Sequence, residues 1–259
     1  MSTTSDHTAR PRGPGRLLQA LESRVLLELG AALASRPLWG LAPEGDGHSV
    51  LVLPGLAAGD ESTRVLRAFL SSRNFDAQAW KQGRNLGLRP GVLDRTRKRL
   101  HEIARQSGRK VSLVGWSLGG VYARELAKEF PDITRQVITL GSPFTGHPRE
   151  TNAWRLYEFV SGHRIGTEDI HEPLRTTPPV PTTSIWSRTD GVVSWRCSVE
   201  RGHHEAENIV VESSHLGLGV NPAVLYAIAD RLSQPEGQWK PFERHGALKH
   251  LFYRDPQRV

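Results

Sequence analysis

Cysteine is almost absent from this chain: Cys197 is the only one in 259 residues. No internal disulfide can form and no cysteine-based metal site can be built, and neither a metal nor a cofactor is expected. A long apolar run is missing too. Between Leu17 and Leu33 the apolar residues fall at 17, 18, 21, 25, 29 and 33, which is helical spacing. Glu22, Arg24 and Glu28 interrupt that stretch too often for a membrane span or the core of a secretion signal. The expectation is a helix docked on the domain surface, in a soluble, cytoplasmic protein. Peripheral membrane contact through residues 17–33 is the sharper alternative. Acidic residues are in deficit, 27 against 34 Lys and Arg, for a formal net charge of +7. That balance raises an acidic partner or a membrane surface. The densest basic run, Arg95, Arg97, Lys98 and Arg99, lies on a predicted helix whose apolar face is Val92, Leu93, Leu100, Ile103 and Ala104. A solvated helix face accounts for it, and no nucleic-acid-binding motif accompanies it. No internal repeat is present, and the oligomeric state is not legible.

The length fits one large α/β domain. Apolar runs at 48–53, 76–80, 111–114, 136–140, 183–187 and 208–212 read as strands. Between and after them come helical patterns. One follows Asp60, which is expected to cap it, and carries Val65, Leu66, Phe69 and Leu70 inward. Others run from about 91 to 106, from 121 to 127 and from 223 to 232. This alternation predicts an α/β fold with a doubly wound, mostly parallel sheet. Its reactive groups should then emerge at the carboxyl ends of the strands.

Residues 111–120 read VSLVGWSLGG. Ser117 stands in G-x-S-x-G between a strand pattern and a helix pattern. A serine on so tight a turn takes a strained backbone conformation, and a side chain two positions away on either side would collide with backbone, so Gly115 and Gly119 are needed. A serine hydroxyl is a poor nucleophile until a histidine takes its proton and a carboxylate orients that histidine. Asp190 follows the strand at 183–187, and His215 follows the strand at 208–212, giving the chain order Ser, Asp, His. The competing candidates are placed less well. His203 and His204 precede the last strand, His147 and His163 lie between strands, and Asp132 and Asp169 follow no strand end. An oxyanion hole needs two backbone N–H groups. Leu118 supplies one; the loop Pro54-Gly55-Leu56-Ala57-Ala58-Gly59 supplies the other, most plausibly from Leu56.

With these segments the chain resembles the α/β-hydrolase superfamily, in its bacterial lipase- and esterase-like branch, over roughly residues 48–233. The likeness rests on Gly115–Gly120, on Leu140-Gly141-Ser142-Pro143-Phe144-Thr145-Gly146, and on Ser187-Arg188-Thr189-Asp190-Gly191-Val192-Val193. It implies Ser117, Asp190 and His215 as a triad and Leu56 and Leu118 as oxyanion donors. One departure is Pro54-Gly55, where many such lipases carry His-Gly. The domain reading is therefore threefold. Residues 1–47 form a disordered start (the first 16) plus an amphipathic helix, 48–233 the catalytic domain, and 234–259 a tail without assignment. Within the catalytic domain an insertion at about 144–180 resembles a small lid. A short helix there, Asn152 to Val160, would offer Trp154 and Tyr157 to a hydrophobic acyl chain, or pack on the core instead. The expected activity is hydrolysis of carboxylic esters, on a small-molecule or lipid-like substrate. A thioesterase, amidase or acyltransferase would use the same acyl-enzyme, and a non-catalytic hydrolase-fold binding protein is the reading from another class.

Overall fold

A computed structural model describes residues 13–87, 89–145, 151–152, 174–244 and 249–258. Its strands are buried along their length except at the two edges of the sheet, as a parallel sheet covered on both faces requires. They are β1 (Ser49–Leu53), β2 (Asp76–Ala79), β3 (Val111–Trp116), β4 (Thr134–Leu140), β5 (Thr182–Trp186) and β6 (Ala206–Val210). All pairings are parallel, in the order β2-β1-β3-β4-β5-β6. The helices are α1 (Arg16–Ala20), α2 (Val25–Ala34), α3 (Arg64–Ser72), α4 (Val92–Ser107), α5 (Leu118–Glu129), α6 (Pro222–Leu232) and α7 (Lys249–Phe252). The α/β class and the parallel sheet are as the sequence predicts.

Alternation along each strand sorts the core into two layers. Val50, Val52, Val114, Ile138 and Ile209 pack with Phe69 and Leu70 of α3 and Leu225 and Ile228 of α6. Leu51, Leu53, Leu113 and Val137 pack with Leu100 and Ile103 of α4 and Tyr122 and Leu126 of α5. After β2 the chain returns to lay β3 on the other side of β1. This reversal of winding opens a crevice at the carboxyl ends of β1 and β3. The register pairs Leu53 with Gly115, which sets the loop after β1 beside the turn that holds Ser117.

Several elements depart from expectation, most of them for a polar reason. β4 begins at Thr134 rather than 136, and β6 begins at Ala206 and ends at Val210. Both starts carry charge: Arg135 pairs with Asp46 at 2.8 Å and reaches Gln234 O at 2.6 Å, and buried Glu207 meets Arg231 at 2.8 Å. Asp60 does not cap α3, whose N-cap is Thr63. Its carboxylate instead accepts the N–H groups of Trp80 and Lys81, each at 3.1 Å, and so secures the end of β2. On α4, Arg95 and Lys98 are solvated, whereas Arg99 folds down onto Gln78 at 2.7 Å. The tail is part of the fold: Phe242 and Tyr253 are buried in the core, and Arg254 N–H donates to Val210 O at 3.1 Å.

The largest correction concerns residues 16–41. α1, a 3₁₀ turn at Leu21–Arg24, α2 and a 3₁₀ segment at Arg36–Leu41 form a strap that docks on the domain, but not by its leucines. Leu17, Leu26 and Leu27 are 73%, 73% and 77% exposed, while Glu22 and Ala32 are the strap's buried residues. The acidic side chains dock because loop N–H groups receive them. Among the described residues no helix is long and apolar enough to cross a membrane. The expected disorder of the first residues and the helix with Trp154 and Tyr157 lie outside the described residues, apart from positions 13–16 and Asn152.

One ion pair fixes α5 to the connection between β5 and β6. Arg124 of α5 is fully buried and pairs with buried Glu200, which also accepts from Thr177 Oγ1 at 2.6 Å. Arg124 lies 3.8 Å above the ring of Phe144. Removing one partner of such a pair leaves an uncompensated buried charge, which costs about 3–5 kcal/mol. Glu200→Ala should lose that much in urea unfolding, and the double variant Arg124→Met/Glu200→Met should regain most of it. Equal stability of Glu200→Ala and wild type would show the pair to be dispensable.

Candidate active site

Ser117 has φ 53° and ψ −121°, a backbone state costly for a residue with a Cβ. The packing around it forces this turn. A Cβ on Gly115 would stand 2.4 Å from Gly119 O, one on Gly119 2.3 Å from Leu53 O, and one on Gly120 2.0 Å from Ser142 Oγ. α5 therefore enters the sheet so closely that three glycines are needed, one more than the motif argument uses. Ser117 N–H donates to Leu140 O at 2.8 Å, and the side chain stays half-buried at the crevice.

Asp190 and His215 are both buried and joined, His215 Nδ1 to Asp190 Oδ2, at 2.6 Å. The other carboxylate oxygen accepts the N–H groups of Val192 and Val193 at 2.8 and 2.7 Å, which holds the Asp190 side chain in place. With a carboxylate as its partner, Nδ1 carries the proton of the neutral imidazole and Nε2 is left without one. Burial alone would lower the His215 pKa. The charge and hydrogen bond of Asp190, with the charge of Glu22 behind them, outweigh it and raise the pKa above its ordinary value.

Gly141 brings the pair to Ser117. It follows Leu140, the register partner of Trp116, and so lies next to Ser117 across the two strand ends. A Cβ there would sit 3.1 Å from both Asp190 Oδ2 and His215 Nδ1. The Trp116 indole N–H donates to His215 O at 3.1 Å and ties the residue before Ser117 to the histidine. Among the described residues no hydrogen bond joins Ser117 Oγ to His215. The chain of contacts is closed from Asp190 to His215 and open at Ser117.

The loop after β1 passes directly over Ser117: a Cβ on Gly55 would be 3.3 Å from Ser117 Cβ. Leu56 follows, and no hydrogen bond occupies its N–H among the described residues. Leu118 is the first residue of α5, where helix N–H groups have no intrahelical partner. The loop's shape depends on Asn85, a buried residue that sequence reasoning missed. Its Nδ2 donates to Pro54 O at 2.8 Å, its N–H to Ala58 O at 2.8 Å, and its carbonyl accepts Ala57 N–H at 2.7 Å. This brace holds Ala57 at φ 60°. A polar residue in a Gly-flanked loop just past β2, the strand beside β1, is the signal that could have found it.

A second chain of Ser, His and Asp is present at the opposite end of the sheet. His48 Nε2 lies 2.8 Å from Ser112 Oγ and His48 Nδ1 2.6 Å from Asp46 Oδ1. Here Ser112 sits near the start of β3, beside the register shift at Val111 and Ser112, fully buried and with no access for a substrate. Burial, with Arg135 and Arg109 nearby, lowers the His48 pKa despite Asp46. This set fastens β1 to β3 and has no exposed nucleophile. His203 and His204 precede β6, at that same far end, and Asp132 lies in the turn before β4. His147, His163, Asp169, Trp154 and Tyr157 lie outside the described residues. Among the described residues no three His, Cys, Asp or Glu side chains are grouped as metal ligands.

No protein-family model and no curated protein matches the sequence. Similarity appears in the folded structure. Aspergillus fumigatus lipase B superposes with a TM-score of 0.58 at 18% identity, over 76% of this chain and 56% of its own. This chain thus spans little more than half of that lipase. The alpha/beta superfamily hydrolase from Oenococcus oeni PSU-1 gives 0.51 at 17% identity, over 71% of this chain and 91% of its own. Paleococcus ferrophilus monoacylglycerol lipase gives 0.53 at 13% identity, over 73% and 96%. At these identities the likeness speaks for the fold, and together with the parallel sheet and its Ser117 turn it establishes that this chain has the α/β-hydrolase fold.

Proposed function

We propose that this protein is a serine hydrolase that cleaves carboxylic esters of hydrophobic acyl groups through an acyl-enzyme on Ser117. The observation that carries the reading is the Asp190–His215 pair beside a serine held at φ 53° on a strand-to-helix turn. Ser117 Oγ attacks the ester carbonyl while His215 Nε2 takes its proton. The oxyanion is received by the N–H groups of Leu56 and Leu118. Collapse of the tetrahedral intermediate breaks the bond to the alcohol, which leaves with the proton from His215. Water then repeats the sequence on the acyl-enzyme and restores Ser117. Fold neighbours named as lipases support an ester as substrate. A thioester, an amide or transfer to another acceptor would share the acyl-enzyme, and pocket shape decides among them. A non-catalytic hydrolase-fold protein would have no need of an aspartate trained on a histidine beside a strained serine.

The strap favours a lipid-like ester met at a membrane surface. Its only carboxylates, Glu22 and Glu28, turn inward to the loops, while Leu17, Leu26, Leu27, Leu38 and Leu41 face out with Arg16 and Arg36 among them. Exposed leucines interspersed with cations suit anionic lipid.

A fluorophosphonate should label Ser117, and Ser117→Ala should abolish labelling and lower p-nitrophenyl ester turnover by roughly 10⁴-fold or more without unfolding. An unlabelled wild type, or an active Ser117→Ala, would overturn the assignment. His215 must be neutral to accept the proton, and its pKa is raised. The ratio kcat/KM should therefore climb with pH through a midpoint above about 6.5; a flat profile from pH 5 to 8 would remove His215 as base. Leu26→Ser/Leu27→Ser should reduce co-sedimentation with phosphatidylglycerol vesicles while leaving hydrolysis of a water-soluble acetyl ester unchanged. Undiminished sedimentation, or a monomer–dimer shift in its place, would refute the lipid contact.

A further inference from the structure

We propose that Glu22 is a positioning residue that locks the Asp190 loop to the His215 loop, so that the N-terminal strap is part of the active site. The inference rests on the Ser117, Asp190 and His215 reading above and gives a residue outside the hydrolase domain a role in it. One oxygen of Glu22 accepts both Gly191 N–H, at 2.7 Å, and His215 N–H, at 2.9 Å. The other accepts Leu216 N–H at 3.0 Å. A single carboxylate, 8% exposed, thus bonds the residue after the aspartate, the histidine itself and the residue after the histidine. A carboxylate buried this far is tolerated only with such a set of donors.

The rest of the strap grips the same two loops. Arg24 Nη2 donates to Thr189 O at 2.8 Å and to Thr189 Oγ1 at 2.7 Å, on the other side of Asp190. Glu28 accepts Ser214 N–H at 3.0 Å and Ser213 Oγ at 2.7 Å, and Ser214 Oγ bonds its second oxygen. The loops are shaped to receive it. A Cβ on Gly191 would stand 2.2 Å from Leu18 O, and one on Gly217 1.8 Å from Glu28 Oε2. Glycine directly after the aspartate and two places after the histidine leaves the space the strap fills.

Position is half of the effect and charge the other half. The charged groups around His215 are Asp190 in direct contact and Glu22 at its own backbone N–H. Further out stand Glu28 at Ser213 and Ser214, and Arg24 at Thr189. Beyond these, Glu212 accepts from Thr189 Oγ1 at 3.3 Å and is itself paired with Arg254 at 3.1 Å. Glu22 is the nearest anion after Asp190 and acts with it to hold the proton on His215, in keeping with the raised pKa.

Glu22→Gln in the full-length protein tests both halves. The variant loses the charge and turns an N–H donor toward Leu216 N–H or Gly191 N–H. The acid limb of kcat/KM should move down, on the order of half a pH unit, and kcat should fall at least tenfold with KM nearly unchanged. The His215 imidazole titration read by NMR, assigned by its loss in His215→Gln, should move the same way. Glu22→Asp keeps the charge but shortens the reach, so it should lower kcat while leaving the limb in place, and it serves if Glu22→Gln does not fold. Glu28→Gln is the control for general loosening and should leave the limb where it is. An unmoved His215 titration in Glu22→Gln, an equal shift in Glu28→Gln, or full kcat in Glu22→Asp would each overturn the proposal. Failure of the ester reading would show separately, as a wild type that is neither labelled nor active while the NMR titration is still readable.

Discussion

The backbone of α5 meets the ends of β1 and β3 at a distance that admits no side chain, and the end of the molecule that carries Ser117 depends on that approach. Gly119 lies against Leu53 O, Gly115 against Gly119 O and Gly120 against Ser142 Oγ. Because the helix cannot back away, Ser117 cannot relax from its positive φ. The same contact presses the loop after β1 over the serine and sets the first N–H of α5 beside it. Strain at one residue is thus maintained by packing at three others, in a core with no room to adjust.

What the sequence made legible, and what it hid, follows from how each residue is satisfied. Strands apolar on both faces announce themselves, and so does a serine flanked by glycines. The concealed features are polar groups whose partners lie far along the chain. Arg135 opens β4 and Glu207 sits in β6 because Asp46 and Arg231 neutralise them; by hydropathy both read as strand boundaries. Asn85 looks like an ordinary loop residue until Pro54, Ala57 and Ala58 are seen to bond it. Glu22 and Glu28 were the hardest to read. Their charges interrupt an apolar periodicity, yet they are the groups by which the helix docks, since backbone N–H donors at Gly191, Ser214 and His215 leave no mark in a sequence.

The two Ser–His–Asp chains in this protein separate geometry from chemistry. Distances at His48 match those at His215 and extend through to the serine. What differs is surroundings. Ser112 sits within β3 beneath the surface, beside a histidine whose pKa burial lowers. Ser117 stands on a strained turn next to the N–H groups of Leu56 and Leu118, beside a histidine whose cationic form is stabilised. Catalytic capacity resides in access, in donors for a developing oxyanion, and in a base able to hold a proton, not in three residue types at hydrogen-bonding distance.

The C-terminal tail has a consequence beyond its packing. An open parallel sheet exposes two rows of unpaired backbone groups, and either can recruit a strand from another molecule. On one side β2 is only four residues long and begins at the exposed Asp76, which makes it a poor template. On the other side β6 is the better one, and there Arg254 bridges antiparallel to Val210 while Tyr253 anchors the tail to Ala223 O at 2.8 Å. The last residues of the chain thereby obstruct growth of the sheet into its neighbours, and shortening the protein by a dozen residues would trade a small loss of core for an edge open to aggregation.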